Sequence, residues 1–418
     1  MDIPGLPARR AALNLIDAVL RRGETLDQAA SAALSRVRGD NDRALARAIA
    51  GEVLRWRADL DALIDSATRQ PLPEDAKPRA VLEIMLAQVL RLETPAHAVI
   101  ATGLPLLSGG PRRLAHGVFS TLTKREVTLP EVPTLPERAA QRWGAFGDAV
   151  AAGLAVPPPL DLALRDPGQT VEWAERLGGV SLMPGHVRIE RGEQVSTLPG
   201  YGEGAWWVQD LAASLPARLL GKPAEGQGMM RVLDLCAAPG GKTMQLAAAG
   251  WQVTALDNAG RRIERLKENL ERTGLKAEAI KADVFKWEPE EAFDAILLDA
   301  PCTATGTCRR HPDVLHRVGE RQIAEMAEIQ QAMLARASGW LKPGGRLVYA
   351  VCSLERAEGE VQARGLDAAG GLTPVPVTEG ELPAGLSPDG EGRVRTDPGM
   401  LAEAGGLDGF YIARWRKD

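Results

Sequence analysis

Five short apolar runs constrain this chain more than anything else in it: VLDL (232–235), VTALD (253–257), AIKAD (279–283), AILLD (295–299) and LVYAVC (347–352). They are mostly separated by helical segments, and each reads as a strand buried on both faces of a parallel sheet. Sheets of this alternating α/β kind bind ligands at the carboxyl ends of their strands. Acids and thiols of this chain fall at or beside those ends: Asp234, Asp257, Asp283, Asp299 with Cys302, and Cys352. Random placement rarely gathers such side chains there together.

The first run leads into DLCAAPGGKT (234–243), which then opens a helix. Gly240 and Gly241 let backbone approach a ligand closely, and the helix N-terminus favours an anionic group. A phosphate-binding GxxxxGK[ST] loop lacks its first glycine here, where Cys236 stands, and the dinucleotide GxGxxG pattern is absent. What remains is the methyl-donor loop of a class I, Rossmann-like methyltransferase, with a glycine turn that binds nothing as the plainer alternative. Asp257 ends the second run, about 20 residues after the loop, where an acid suits ribose hydroxyls. Asp283 closes the third run and suits an adenine amino group, although either acid alone is more often a turn or cap residue.

LLDAPCTATGT (297–307) and YAVCSLE (349–355) bring in the reactive groups. Carbon 5 of cytosine is a poor nucleophile, but a thiolate added at carbon 6 makes it enamine-like and able to attack a methyl sulfonium. That reaction needs a nucleophile, an acid near ring N3 and a base. Cys302 and Cys352 face one pocket if their strands are neighbours, and Asp299 can hold N3 or donate to it. Spacing treats the two thiols alike. Cys236 and Cys308 read equally well as small buried hydrophobes.

Before residue 231 the pattern differs. Helical periodicity marks Arg9–Leu20, Asn41–Leu54, Arg79–Leu92, His97–Leu107 and Arg113–Leu122, followed by the proline-rich LPEVPTLP (129–136). Beyond it, helical patterns (Arg138–Ala152, Thr170–Leu177) alternate with strand-like pieces at 162–165 and 187–190. The expected division is an all-α domain over 1–128, a small α/β linker module over 137–225 and the methyltransferase domain over 226–418. Residues 1–125 carry 18 Lys+Arg against 14 Asp+Glu and the remainder 32 against 41, an asymmetry compatible with an RNA partner despite a net charge of −5. The four cysteines form no CxxC pair and no metal spacing, so reduced thiols, a cytoplasmic setting and no metal are expected. MDIPGLPARR lacks the apolar run of a secretory leader, and no apolar run is long enough to span a bilayer, so no membrane contact is expected.

These motifs together resemble the bacterial 16S ribosomal RNA cytosine methyltransferases of the Sun/Fmu (RsmB) type, over most of the chain. RRHPD (309–313) looks like the signature of that subgroup. DRALA (42–46), GEVLRW (51–56), LDALI (60–64) and PAHAV (95–99) are similar to its NusB-like RNA-binding domain, WVQDLAAS (207–214) to the segment before the catalytic domain, and DGFYIARWRK (408–417) to the closing strand. The resemblance implies S-adenosylmethionine as methyl donor and RNA, in particular small-subunit ribosomal RNA, as partner of a monomeric enzyme. It implies Cys352 as nucleophile, Cys302 as aid to proton removal and release, Asp299 on the cytosine and Lys242 close by. The donor set it implies is Cys236, Ala237, Ala238, Pro239, Gly240, Gly241, Lys242, Asp257, Arg262, Asp283 and Asp299. Arg309 and Arg310 are expected to grip phosphates beside the target base, whereas Arg317 and Arg321 read as a solvated helix face and Trp206 and Trp207 as core. Val351 stands where the family usually has Thr, and CTATGT and GVFSTLT also depart from its wording. The competing reading is a non-catalytic NusB-like RNA-binding factor with a degenerate methyltransferase domain; a P-loop hydrolase is disfavoured by Cys236.

Overall fold

The computed structural model describes residues 3–192, 194–224, 226 and 229–418, so the expected domain edges at 1 and 225 lie outside the described residues. Contacts divide the chain into a helical unit, running to Val156 and including Cys308–Gly319, and an α/β unit of Pro157–Thr307 and Glu320–Asp418.

The helical unit opens with α1 (Leu6–Arg22). Pro7 sits in its first turn, and Gly23 ends it in the left-handed region, where the amides of Gly23 and Glu24 reach back to Val19 and Ala18. The short α2 (Leu26–Ala33) spans only about two turns, and the periodicity reading omits it. Its start is nevertheless written in the chain: Thr25 and Gln28 form a reciprocal capping box. The second expected helix is longer than its stripe suggested, α3 covering Asp40–Ser66 with a kink at Trp56. Next come α4 (Lys77–Leu90), α5 (Ala96–Gly103) and α6 (Gly109–Lys124). The pattern over 138–152 is two helices, α7 (Glu137–Trp143) and α8 (Gly147–Leu154), broken at Gly144, and both count with this unit. Leu15, Ile49, Ile84 and Phe119 lie at the centre of its apolar core, fully buried.

In the α/β unit, β1 (Leu160–Leu164), β2 (His186–Ile189) and β3 (Trp206–Val208) form a small antiparallel sheet in the order β2-β1-β3, with α9 (Thr170–Arg176) beside them. Trp206 and Trp207 are core residues, as expected. Then α10 (Leu211–Leu220) leads to β4 (Arg231–Leu235), α11 (Gly241–Ala248), β5 (Gln252–Asp257), α12 (Gly260–Thr273), β6 (Glu278–Lys281) and β7 (Phe293–Asp299). The chain passes through α13 (Val314–Arg317), which counts with the helical unit, and resumes with α14 (Glu320–Gly339) and β8 (Leu341–Val351). It closes with α15 (Glu360–Ala369), β9 (Leu372–Pro374), β10 (Val394–Arg395) and β11 (Tyr411–Lys417).

The large sheet runs β10-β11-β8-β7-β4-β5-β6, with β9 on β11. Neighbours from β6 to β8 pair in parallel, and β11 returns antiparallel on β8. All five apolar runs are strands here, but the third is not buried as expected: β6 is the edge strand of the sheet, and its residues are exposed or half-buried. The order reverses between β7 and β4, because β5 and β6 extend one way from β4 while β7 and β8 extend the other. That switch point opens a crevice at the carboxyl ends of the strands. Trp415 on β11 is fully buried, with its indole N–H donating to Asp367 at 2.7 Å. Trp415→Ala is expected to cost about 3–5 kcal/mol through the cavity it leaves, read as a lower denaturant midpoint for the α/β unit.

Candidate active site

Register decides which side chains meet. Asp299, the last residue of β7, lies opposite Ala350 of β8, and the Ala300 amide continues the ladder to the Ala350 carbonyl at 2.9 Å. Cys302 and Cys352 therefore leave neighbouring strands at the same height, and their sulfurs are 3.4 Å apart. The loop after Cys302 is folded back onto β8 by Gly306, whose amide donates to the Cys352 carbonyl at 3.0 Å while its own carbonyl accepts from Gly409 at 2.8 Å. A side chain at Gly306 has no room, because a Cβ there would stand 1.9 Å from the Gly409 oxygen.

Behind the sulfurs sits Glu358, fully buried. Its carboxylate accepts from the Thr303 amide (2.9 Å) and hydroxyl, from the Ser353 hydroxyl (2.7 Å) and from the Gln330 side-chain amide (2.9 Å). Thr303 follows Cys302 and Ser353 follows Cys352, so one carboxylate ties both cysteine loops together. Sequence reading missed Glu358 entirely. In SLERAEGEV it is one acid among several charged residues before a helix, and nothing in that pattern marks it as buried.

Lys242, the second residue of α11, donates to Asp299 Oδ2 at 2.8 Å. Burial alone pushes the ammonium down, but the charge and hydrogen bond of Asp299, helped by Cys352 and Asp234, hold it above its ordinary value. Cys302 is pushed well above the ordinary thiol range, first by its hydrogen bond with Cys352, then by burial and by the charges of Cys352 and Glu358. Burial and the charge of Glu358 disfavour ionisation of Cys302, while the sulfur–sulfur contact itself can be donated from either side. Asp234 lies in β4 with no exposure, and burial raises its carboxyl to about 7 although Thr243 donates to it at 2.6 Å. Beside Lys242 and Asp299 a cavity of about 730 Å³ opens, lined also by Ala237, Ala238, Trp207 and Gln209.

The loop from Cys236 to Gly241 is shaped by its backbone. Cys236 adopts φ +60 and Gly240 φ +107, a region that suits glycine and strains cysteine. The Ala238 amide donates to Asp257 Oδ2 at 3.2 Å, and Arg262 clamps both sides of that contact, donating to the Ala238 carbonyl (2.8 Å) and to Asp257 Oδ2 (2.9 Å). Loop, Asp257 and Arg262 form one assembly. Burial, followed by the charges of Asp299, Asp257 and Asp234, pushes the Cys236 thiol up to about 12. These acids, offset in part by Arg262, oppose negative charge at the loop, which suits a cationic sulfonium donor better than a polyphosphate. Asp283 sits in the turn after β6, half-buried, and accepts from the Phe285 amide at 3.0 Å.

Two expectations need correction. Arg309 is buried in the helical unit at 2% exposure, and its carbonyl accepts from Arg55 at 2.8 Å. A guanidinium in that position does not reach solvent to grip a phosphate; Arg310, next to it, is half-buried. Arg317 is not on a solvated face either, since it pairs with Asp313 at 3.0 Å with its side chain 11% exposed. Arg321 is solvated, as expected. Cys308 is fully buried. Val351, also fully buried, packs in the sheet core opposite Tyr411. Among the described residues no helix is long and apolar enough to cross a membrane, and no cluster of potential metal ligands occurs.

Residues 219–416 match the family model described as 16S rRNA methyltransferase RsmB/F, and residues 6–106 match the NusB family. The chain is 34% identical to ribosomal RNA small subunit methyltransferase B of Xylella fastidiosa strain Temecula1, covering 99% of each chain. It is 34% identical to the protein of that name from Klebsiella pneumoniae, covering 89% of this chain and 93% of the relative. A crystal structure of a methyltransferase homologue from Pyrococcus horikoshii superposes with a TM-score of 0.54 at 26% identity, covering 68% of this chain and 94% of the other.

Asp234 generates a pH test. Its folded value, about 7, lies above the ordinary 3.8, so the folded state holds the extra proton between those values. Its contribution to stability is complete below the lower value and is lost as pH rises toward 7. Asp234→Asn is expected to flatten that decline, measured as denaturant midpoints of both proteins from pH 4 to 8.

Proposed function

Since the chain belongs to the 16S rRNA methyltransferase RsmB/F family and is an rRNA methyltransferase, we propose that it carries a methyl group from S-adenosylmethionine to carbon 5 of a cytosine in 16S ribosomal RNA. The observation that carries this reading is the 3.4 Å contact between Cys302 and Cys352 beside the Lys242–Asp299 pair. S-adenosylmethionine supplies an electrophilic methyl group; everything else is work for side chains of this protein.

Cys352 is the nucleophile. Cys302 retains its proton and donates toward Cys352, and the Lys242 ammonium offers a positive charge to the Cys352 sulfur. Addition of the Cys352 thiolate at carbon 6 makes carbon 5 nucleophilic, so that it accepts the methyl group. Asp299, its Oδ2 held by Lys242, fixes the polar edge of the base. Once the Cys352 sulfur is bonded to carbon 6 it carries no charge, and the strongest influence keeping Cys302 protonated disappears. Cys302 then loses its proton to solvent and takes the one on carbon 5. The carbon–sulfur bond breaks as the ring double bond re-forms, and Cys352 leaves as thiolate.

Asp257 and Arg262, with the loop from Cys236 to Gly241 and Lys242, hold the donor. Asp257 would hold its ribose, Asp283 its adenine and Asp299 would stand at its reactive end. A base inside folded RNA has to be unstacked to enter, which is easier in a loop than in a duplex. The division into a NusB-like RNA-binding domain (1–128), a linker module (137–225) and a catalytic domain (226–418) belongs to the same proposal. Arg310 remains the residue of RRHPD assigned to RNA. Two sulfurs this close work only while reduced, which supports action in the cytoplasm, and a single chain as the working unit belongs to the same proposal.

Cys352→Ala is expected to abolish methyl transfer, while Cys302→Ala accumulates a protein–RNA adduct on a denaturing gel. No adduct from the Cys302 variant with substrate RNA and donor counts against the mechanism. Asp257→Ala is expected to weaken S-adenosylmethionine binding by about tenfold, the worth of one charge-assisted hydrogen bond of about 1.5 kcal/mol, read by calorimetry. No heat from the unaltered protein would favour a non-catalytic RNA-binding factor.

A further inference from the structure

We propose that Glu358 is the positioning residue of the thiol pair: it anchors the loop behind Cys302 and the turn behind Cys352 on one buried carboxylate, which holds the two sulfurs in place, and its charge beside the Cys302 loop leaves Cys352 to attack. The inference rests on the reading above and deepens it. Glu358 touches neither sulfur. It takes two hydrogen bonds from Thr303, one from Ser353 and one from Gln330, whose side-chain amide also donates to the Pro301 carbonyl at 2.9 Å. The residue after Cys302 and the residue after Cys352 are thereby bound to Glu358 directly, and the residue before Cys302 is tied to it through Gln330. Thr305 adds a further tie between the same two loops, its hydroxyl accepting from the Leu354 amide at 2.9 Å.

The charge of Glu358 matters as well as its shape. All four donors are neutral, so the carboxylate sits fully buried among uncharged partners. A buried charge held only by neutral donors costs stability compared with a neutral group of the same shape. What the charge does here is oppose ionisation of Cys302, on which it acts directly. Cys302, with its own neighbour bound to Glu358, keeps its proton, and Cys352 is left to supply the thiolate. A glutamine removes the charge: its oxygen can still accept from the Thr303 and Gln330 amides, while its NH2 meets the Thr303 and Ser353 hydroxyls and reverses those two hydrogen bonds.

The test uses the full chain and two readouts. The first is alkylation by iodoacetamide in the absence of RNA, mapped residue by residue by mass spectrometry, with buried Cys308 as internal reference. Cys352 is expected to react ahead of Cys302. In Glu358→Gln that preference narrows by about tenfold, the change in thiolate fraction for one pKa unit. The second is steady-state methylation. A displacement of about 1 Å costs about 100-fold in rate, so kcat of Glu358→Gln falls by about that factor while KM for RNA is unchanged. An unchanged ratio of Cys352 to Cys302 alkylation rates in a folded Glu358→Gln protein overturns the proposal, whatever happens to kcat. If that variant does not fold, Thr303→Val decides, since it removes one of the four bonds and leaves the charge. A lower kcat at unchanged KM and unchanged alkylation order supports the proposal, and an unchanged kcat sinks it. Alkylation needs neither RNA nor donor, so failure of the methyltransferase reading would still leave the order of the two thiols measurable.

Discussion

The pairing of β7 with β8 is the constraint on which the rest of the site depends. The two strands run parallel in a register that sets Asp299 beside Ala350; β7 ends three residues before Cys302 and β8 directly before Cys352. A slip of one residue would turn every side chain of one strand to the opposite face. The register is secured at its end by amides rather than by side chains, from Ala300 to Ala350 and from Gly306 to Cys352. Gly306 is the price of that arrangement, since only a residue without Cβ allows the Gly409 backbone so close.

Electrostatics follow from the same convergence. Asp234, Asp257 and Asp299 come from adjacent strands β4, β5 and β7, and their charges overlap at Cys236. Lys242 answers that field from the start of α11, where the loop geometry delivers it to Asp299. The low dielectric of the crevice makes each of these charges count for more than it would in water. Lys242 on Asp299 and Arg262 on Asp257 offset part of that charge, and Lys242 gives the sulfur of Cys352 a positive neighbour. The glycine loop thereby works differently from a phosphate cradle: its helix start presents a side-chain cation to an acid, rather than bare amides to an anion.

Much of this was legible in the chain because it is periodic or local. Five apolar runs with acids or thiols at their ends predict a parallel sheet, and all five are strands. DLCAAPGGKT predicts a strand–loop–helix turn, and β4 and α11 flank it. Trp206 and Trp207 read as core because large aromatics usually are. What escaped is what depends on tertiary partners. Glu358 looks like a surface acid among charged neighbours, and its burial exists only once α14 brings Gln330 to it. Arg309 looks like an exposed arginine after an active-site loop, yet burial with the helical unit removes it from solvent. α2 escaped for a different reason: its capping box was readable, but eight residues give too few turns for a stripe.

The excursion of residues 308–319 has a consequence for how the molecule is made. These twelve residues complete the helical unit although more than 150 others separate them from Val156 along the chain. Val314 and Leu315 are buried there, and His316, kept neutral by burial that lowers it to about 4, donates to the Leu54 carbonyl at 2.6 Å. During synthesis the first eight helices emerge without that plug and wait for it. The helical unit reaches its final packing only after β1 to β7 have left the ribosome, so the front of the protein is among the last parts to be finished.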